Sequence, residues 1–219
     1  MSSRKLLDGL CLALLLVSAP AWADERTPDS PFLGARLAYA LPFGTMTGEV
    51  DTLWLYDLYS ATIPLTLEGG YRVGPVSYGA YLQYGFAQFH GECPVSTCSG
   101  SDIRFGLSAV YHLETSFART WAGLSAGYEL ASVGAVDRGI SFNDTYSGFD
   151  IAAQGGTTYD FGGIQAGPFI SLSMGQFGRY TATINGASGV EDLDYRGLHF
   201  WFQLGVYARF EPRFGPKHR

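Results

Sequence analysis

One stretch near the end of the sequence decides the fold: Leu198-His199-Phe200-Trp201-Phe202-Gln203-Leu204-Gly205-Val206-Tyr207-Ala208-Arg209-Phe210. Leu198, Phe200, Phe202, Leu204, Val206, Ala208 and Phe210 are all apolar. His199, Trp201, Gln203, Gly205, Tyr207 and Arg209 fall between them. A β-strand points successive side chains to opposite faces, so this segment has one apolar face and one polar or small face. No helical period of 3.6 residues fits it.

Seven earlier segments follow the same rule, at residues 33–41, 63–73, 76–86, 102–113, 122–130, 149–160 and 166–175. Along 76–86, for example, Val76, Tyr78, Ala80, Leu82, Tyr84 and Phe86 alternate with Ser77, Gly79, Tyr81, Gln83 and Gly85. Arg36, Glu68, Arg72, Arg104, Glu129, Asp150 and Arg209 all lie on the second face, which otherwise holds many Gly, Ser and Ala. A soluble barrel or sandwich turns its charges outward. Apolar residues outside and polar ones inside, in segments of about ten residues, mark a transmembrane β-barrel. Closure then satisfies every backbone group within lipid. The expected fold is all-β, an antiparallel up-and-down barrel of eight strands.

The connections alternate as well. Gly74-Pro75, Glu114–Arg119 and Phe161–Gly163 are short; 42–61, 87–101, 131–147 and 177–197 are long. Short periplasmic turns and long external loops place both termini in the periplasm.

Composition agrees. Only 16% of the 219 residues are charged, against about 25% typically, and 15% are aromatic. This combination excludes a disordered chain. Glycine reaches 29 residues and mean hydropathy is only +0.06, too low for a helical membrane protein. A net charge of −6 argues against nucleic acid as a partner.

Residues 1–23 read as a signal peptide, with Arg4 and Lys5, the apolar run Leu10–Val17 and the cleavage motif Ala21-Trp22-Ala23. The barrel domain then covers 24–210, and 211–219 form a short periplasmic tail. The mature chain keeps Cys93 and Cys98. In an oxidising compartment their spacing suits a local disulfide, with two free thiols as the alternative. No metal site or cofactor is expected, since only His90 lies near that pair.

With these residues in place, the chain resembles the small eight-stranded outer-membrane barrels of the OmpX, OmpW and OmpA-transmembrane-domain kind. The resemblance covers the signal peptide and residues 31–210. Its most specific piece is the assembly signal, polar-x-Gly-x-x-apolar-x-aromatic, which here reads Gln203, Gly205, Ala208 and Phe210. The resemblance implies two partners, outer-membrane lipid and the barrel-assembly machinery. The family usually ends on the aromatic residue, whereas this chain continues from Glu211 to Arg219.

Candidate functional residues lie in the lumen. Arg104, Glu129 and Asp150 sit on neighbouring strands toward the external end, and Glu68 lies beside Arg36. Buried charges need partners, so two groups are expected, Arg104–Glu129–Asp150 and Arg36–Glu68. Tyr81, Trp121, Phe169, Trp201 and Tyr207 are expected to fill the remaining space. The apolar loop segment Leu53–Tyr59 can pack on the barrel rim as ordinary loop residues, fold over the barrel mouth as a short lid or lie in the outer leaflet. The leading expectation is a structural or interaction role in the envelope. The alternative is a narrow pore, or a conduit for ions or a small apolar ligand. No Ser-His-acid constellation supports an enzyme.

Overall fold

The computed structural model describes residues 29–47, 53–89, 97–114, 118–194 and 196–212. The signal segment 1–23, Cys93 and residues 213–219 lie outside the described residues. So does the partner half of the expected disulfide, while Cys98 stands at the start of the fourth strand.

Among the described residues, nine strands and one short helix follow in order: β1 (Ser30–Gly44), α1 (Leu55–Leu58), β2 (Ala61–Val73), β3 (Val76–Gln88), β4 (Thr97–Glu114), β5 (Arg119–Asp137), β6 (Ile140–Asp160), β7 (Ile164–Ile184), β8 (Ala187–Asp192) and β9 (His199–Phe210). Every pairing is antiparallel. Strands β1 to β7 pair in sequence, β7 pairs with β9, and β9 pairs with β1. Eight strands therefore close a ring. β8 is not part of it; it pairs with β7 alone, over Arg179–Ile184.

At the seam, a Cβ on Gly205 would come 2.2 Å from the Leu37 carbonyl oxygen. Glycine there lets β1 and β9 approach closely enough to close the ring.

Two of the expected long loops are mostly strand. β5 and β6 run past the ring and join at Arg138-Gly139, and β7 and β8 join at Asn185-Gly186. All four turn residues have positive φ, between 48° and 86°. That is the type I′ geometry, whose twist matches paired strands. A bulge between Ser147 and Gly148 lets β7 bend as it leaves the ring. The barrel thus has a short-turn end, holding 74–75 and 161–163, and a tall hairpin end.

The outward face is apolar. Leu37, Leu67, Leu82, Leu107, Leu124, Ile151, Ile170 and Leu204 are all more than half exposed. Tyr71, Tyr78, Tyr159 and Phe161 flank this aliphatic band at the turn end, and Phe43, Tyr84, Phe86 and Phe149 at the hairpin end. Along β3, Tyr78 to Phe86 spans about 27 Å at ~3.4 Å per residue. With strands tilted by about 40°, the band is roughly 20 Å tall, close to the ~25 Å of transmembrane barrels.

Candidate functional site

The lumen is filled by stacked layers. At the turn end, Arg209 of β9 donates to Ser77 Oγ at 2.7 Å, and Ser77 bonds to His112 Nε2 at 2.9 Å. The Arg209 guanidinium sits 3.7 Å from the centre of the Phe32 ring. Glu211 lies just past β9 and is buried. It pairs with Arg209 at 2.6 Å, Arg119 at 3.3 Å and Arg72 at 3.4 Å. Gln165 donates to the same carboxylate at 3.3 Å. Burial alone raises this carboxyl, but Arg209, Arg72 and Arg119, with the Gln165 amide, outweigh it and hold Glu211 below the ordinary carboxylate range. The sequence grouped Glu211 with the short periplasmic tail. The structure puts it in the floor of the barrel, because cations on β2, β5 and β9 converge there.

Above the floor comes an apolar layer of Ala38, Val110, Trp121, Phe169 and Tyr207. Trp121 meets Tyr207 edge-on at 5.2 Å between ring centres and stacks near Phe169 at 6.5 Å. The next layer is polar. Arg36 pairs with Glu68 at 2.6 Å, and the Tyr207 hydroxyl donates to Glu68 at 2.5 Å. Arg36 also donates to Gln154 Oε1. Tyr81 is buried beside this group, and Thr66 donates to Gln83 at 3.1 Å.

The largest cluster surrounds Arg104. Its guanidinium meets Asp102 at 2.9 Å, Glu129 at 3.0 Å and Asp150 at 3.9 Å, and donates to Ser173 at 2.8 Å. Trp201 donates its indole N–H to Glu129 at 3.0 Å, and its ring lies 5.0 Å from the guanidinium. His199 Nε2 bonds to the other Glu129 oxygen at 2.8 Å, and its imidazole stacks on Phe177 at 4.1 Å. The sequence faced Asp102 and His199 inward without joining them to this cluster. The alternation sets their face, but their convergence depends on strand stagger.

A lid closes the hairpin end. Met46, Leu55 and Tyr59 are fully buried and pack with Ala40, Ala131, Phe177 and Trp201. Met46 N donates to the Leu53 carbonyl at 2.8 Å, and Thr47 bridges to Arg196. The Tyr59 hydroxyl donates to the Ser132 carbonyl at 2.8 Å. Asp57 accepts from the Trp54 N–H at 3.2 Å, which starts the single turn of α1. Of the three sequence readings for 53–59, rim packing, a lid or the outer leaflet, the structure takes the lid, with Trp54 and Tyr56 left on its outer side.

All ten candidate charges and aromatics therefore point inward and are buried. Of the assembly-signal residues, Gln203 is buried in the lumen and Gly205 lies at the seam. Phe210 faces outward, opposite Leu33 and Ile164. Among the described residues no group of three His, Cys, Asp or Glu could hold a metal.

Closed antiparallel strands, an apolar outer band and a polar, filled lumen are now in view. The fold is that of the small outer-membrane β-barrels. Neisserial surface protein A matches with a TM-score of 0.54 at 12% identity, over 84% of this chain and 99% of that one. A major outer membrane protein from Thermus thermophilus matches with a TM-score of 0.51 at 9% identity, over 83% and 99%. At such identities the likeness concerns the fold. No family model and no curated protein matches the chain.

Proposed function

We propose that this chain is an integral outer-membrane protein with a closed lumen, serving a structural or interaction role through its hairpin end. The observation that carries this reading is the unbroken stack of layers from Glu211 to the lid. The Trp121–Phe169–Tyr207 layer is apolar and buried, and the Arg36–Glu68 and Arg104 ion-pair groups lie between it and the lid. An eight-stranded ring is just wide enough for side chains to fill. On this reading the turn end and both termini face the periplasm, the hairpins and the strand end that carries Cys98 face outward, and lipid covers the apolar band. Gln203, Gly205, Ala208 and Phe210 present the closing strand to the assembly machinery. This reading gives the chain no catalytic role: the buried His199 bonds to Glu129, and His112 shares Ser77 with Arg209.

Planar-bilayer recording tests the proposal, on protein shown to be folded by its heat-shifted gel mobility. Folded protein should give no steady conductance steps. Reproducible steps would refute the closed lumen and favour a narrow pore.

A further inference from the structure

β8 is a free sheet edge at the hairpin end. It pairs with β7 alone, and all of its residues, Ala187–Asp192, are exposed. The two-residue turn Asn185-Gly186 makes Ile184 and Ala187 a hydrogen-bonded pair, which fixes the phase of the ladder. Ala187, Gly189 and Glu191 therefore turn their backbone groups toward β7. Ser188, Val190 and Asp192 turn theirs outward, where no backbone group among the described residues meets them. Natural edges are commonly shielded by lysine, proline or a bulge. β8 has none of these, and its two charges are both acidic and lie at one end.

The surroundings define what can pair there. Glu191 stands across from Tyr180, whose hydroxyl donates to Asp144 at 2.8 Å on the same face. Among the described residues no cation meets Glu191. On the other face Asp192 pairs with Arg179 at 3.2 Å. Asp194 follows, and Arg196 is turned back onto the Leu193 carbonyl at 3.4 Å. The carboxylates around this edge thus outnumber the guanidiniums. Val190 is 65% exposed and has only Thr181 across from it.

We propose that the β8 edge takes up an extended basic peptide segment of a partner protein as an added antiparallel strand. The proposal rests on the interaction reading above and names its surface and its partner. Ser188, Val190 and Asp192 exchange backbone hydrogen bonds with the added strand. A residue directly opposite Glu191 lies about 5 Å away between Cβ atoms, so lysine or arginine there meets the carboxylate. On the other face an aliphatic residue covers Val190. A second copy in the same membrane cannot pair this way, because its β8 runs in the same direction.

Fluorescence anisotropy of a short labelled peptide alternating lysine with valine tests this, with the protein folded in phosphatidylcholine nanodiscs. The peptide should bind, and hydrogen exchange at the Ser188, Val190 and Asp192 amides should slow. Methylating the valine nitrogens, which face the edge when lysine faces Glu191, should weaken binding by about fivefold per hydrogen bond lost. Methylating the lysine nitrogens should not. Val190→Pro removes an outward N–H and spares the β7 ladder; it should weaken binding similarly at unchanged heat-shifted mobility. Glu191→Lys, at an exposed position, should weaken it too and serves if proline unseats β8. Equal binding of the two methylated peptides would reduce the effect to charge attraction and overturn strand addition. No binding of the lysine peptide to folded protein would also overturn the proposal. Tighter binding of the matching glutamate peptide would overturn the basic partner and leave the interaction role of the hairpin end standing. Bilayer conductance reports separately on the closed lumen.

Discussion

Replacing Arg104 by methionine removes the one guanidinium that meets Asp102, Glu129 and Asp150 within 4 Å. All four groups are buried. Breaking a buried ion pair from one side costs about 3–5 kcal/mol, because the remaining charge is left uncompensated. Here Asp102, Glu129 and Asp150 all lose that cation, although Glu129 keeps its bonds to His199 and Trp201, and Ser173 loses its donor. The expected loss is therefore toward the upper end of that range, against a total stability of about 5–15 kcal/mol. Urea unfolding in lipid vesicles, followed by tryptophan emission, measures it. Trp201 lies 5.0 Å from the guanidinium, so the native spectrum should shift as well. A compensated variant, Arg104→Met with Asp102→Asn and Glu129→Gln, removes most of the stranded charge. It should recover at least half of the loss, since neutral replacements of buried ion groups are often tolerated. A single variant within about 1 kcal/mol of wild type would mean that water already screens these charges, and would refute the packed lumen. A compensated variant less stable than the single one would refute the charge argument.

Other perturbations test other parts of the barrel. Glu211→Gln should cost about 1.5–3 kcal/mol at neutral pH, the worth of hydrogen bonds to charged groups. Because folding depresses the Glu211 carboxyl, its contribution is full above the ordinary glutamate value of about 4.3 and fades as pH falls through the lower folded value. Wild-type and variant unfolding curves should therefore converge in acid; a constant gap down to the lowest pH would contradict the floor assignment. Leu124→Arg, on the outer band, should cost about 2–4 kcal/mol in vesicles, and a neutral result there would put β5 in the wrong phase. Gly205→Val places a side chain against the Leu37 carbonyl and should prevent the heat-shifted form; normal mobility would show that the seam is looser than drawn.

The ring was legible because lipid and a narrow lumen impose opposite demands on neighbouring residues. Gln203 and Leu204 differ for that reason alone, and the short turns at 74–75 and 161–163 fall where the alternation breaks. Beyond Leu130 the demand reverses. Ser132, Ser141, Asn143 and Thr145 face outward above the apolar band, while Ala131, Val133 and Tyr146 pack toward the lid. The lipid-facing template therefore ends at the point where β5 and β6 continue. Asn185-Gly186 was a readable hairpin signal that would have recovered β8. Arg138-Gly139 offered only its glycine. Leu53–Tyr59 is apolar without a period, so sequence left its direction open. Glu211 follows the last alternating residue, and its partners come from β2, β5, β7 and β9; no local pattern records such contacts.

The central claim is that the alternating faces separate lipid from a closed interior. Nitroxide labels placed singly at 202–207 on β9 and 81–84 on β3, in protein folded into bilayers, test it most directly. Collision with lipid-soluble oxygen should be high at Phe202, Leu204, Val206, Leu82 and Tyr84 and low at Gln203, Tyr207, Tyr81 and Gln83, with water-soluble quencher excluded from both sets. The opposite phase, or free access of the aqueous quencher to the inward set, would contradict the account.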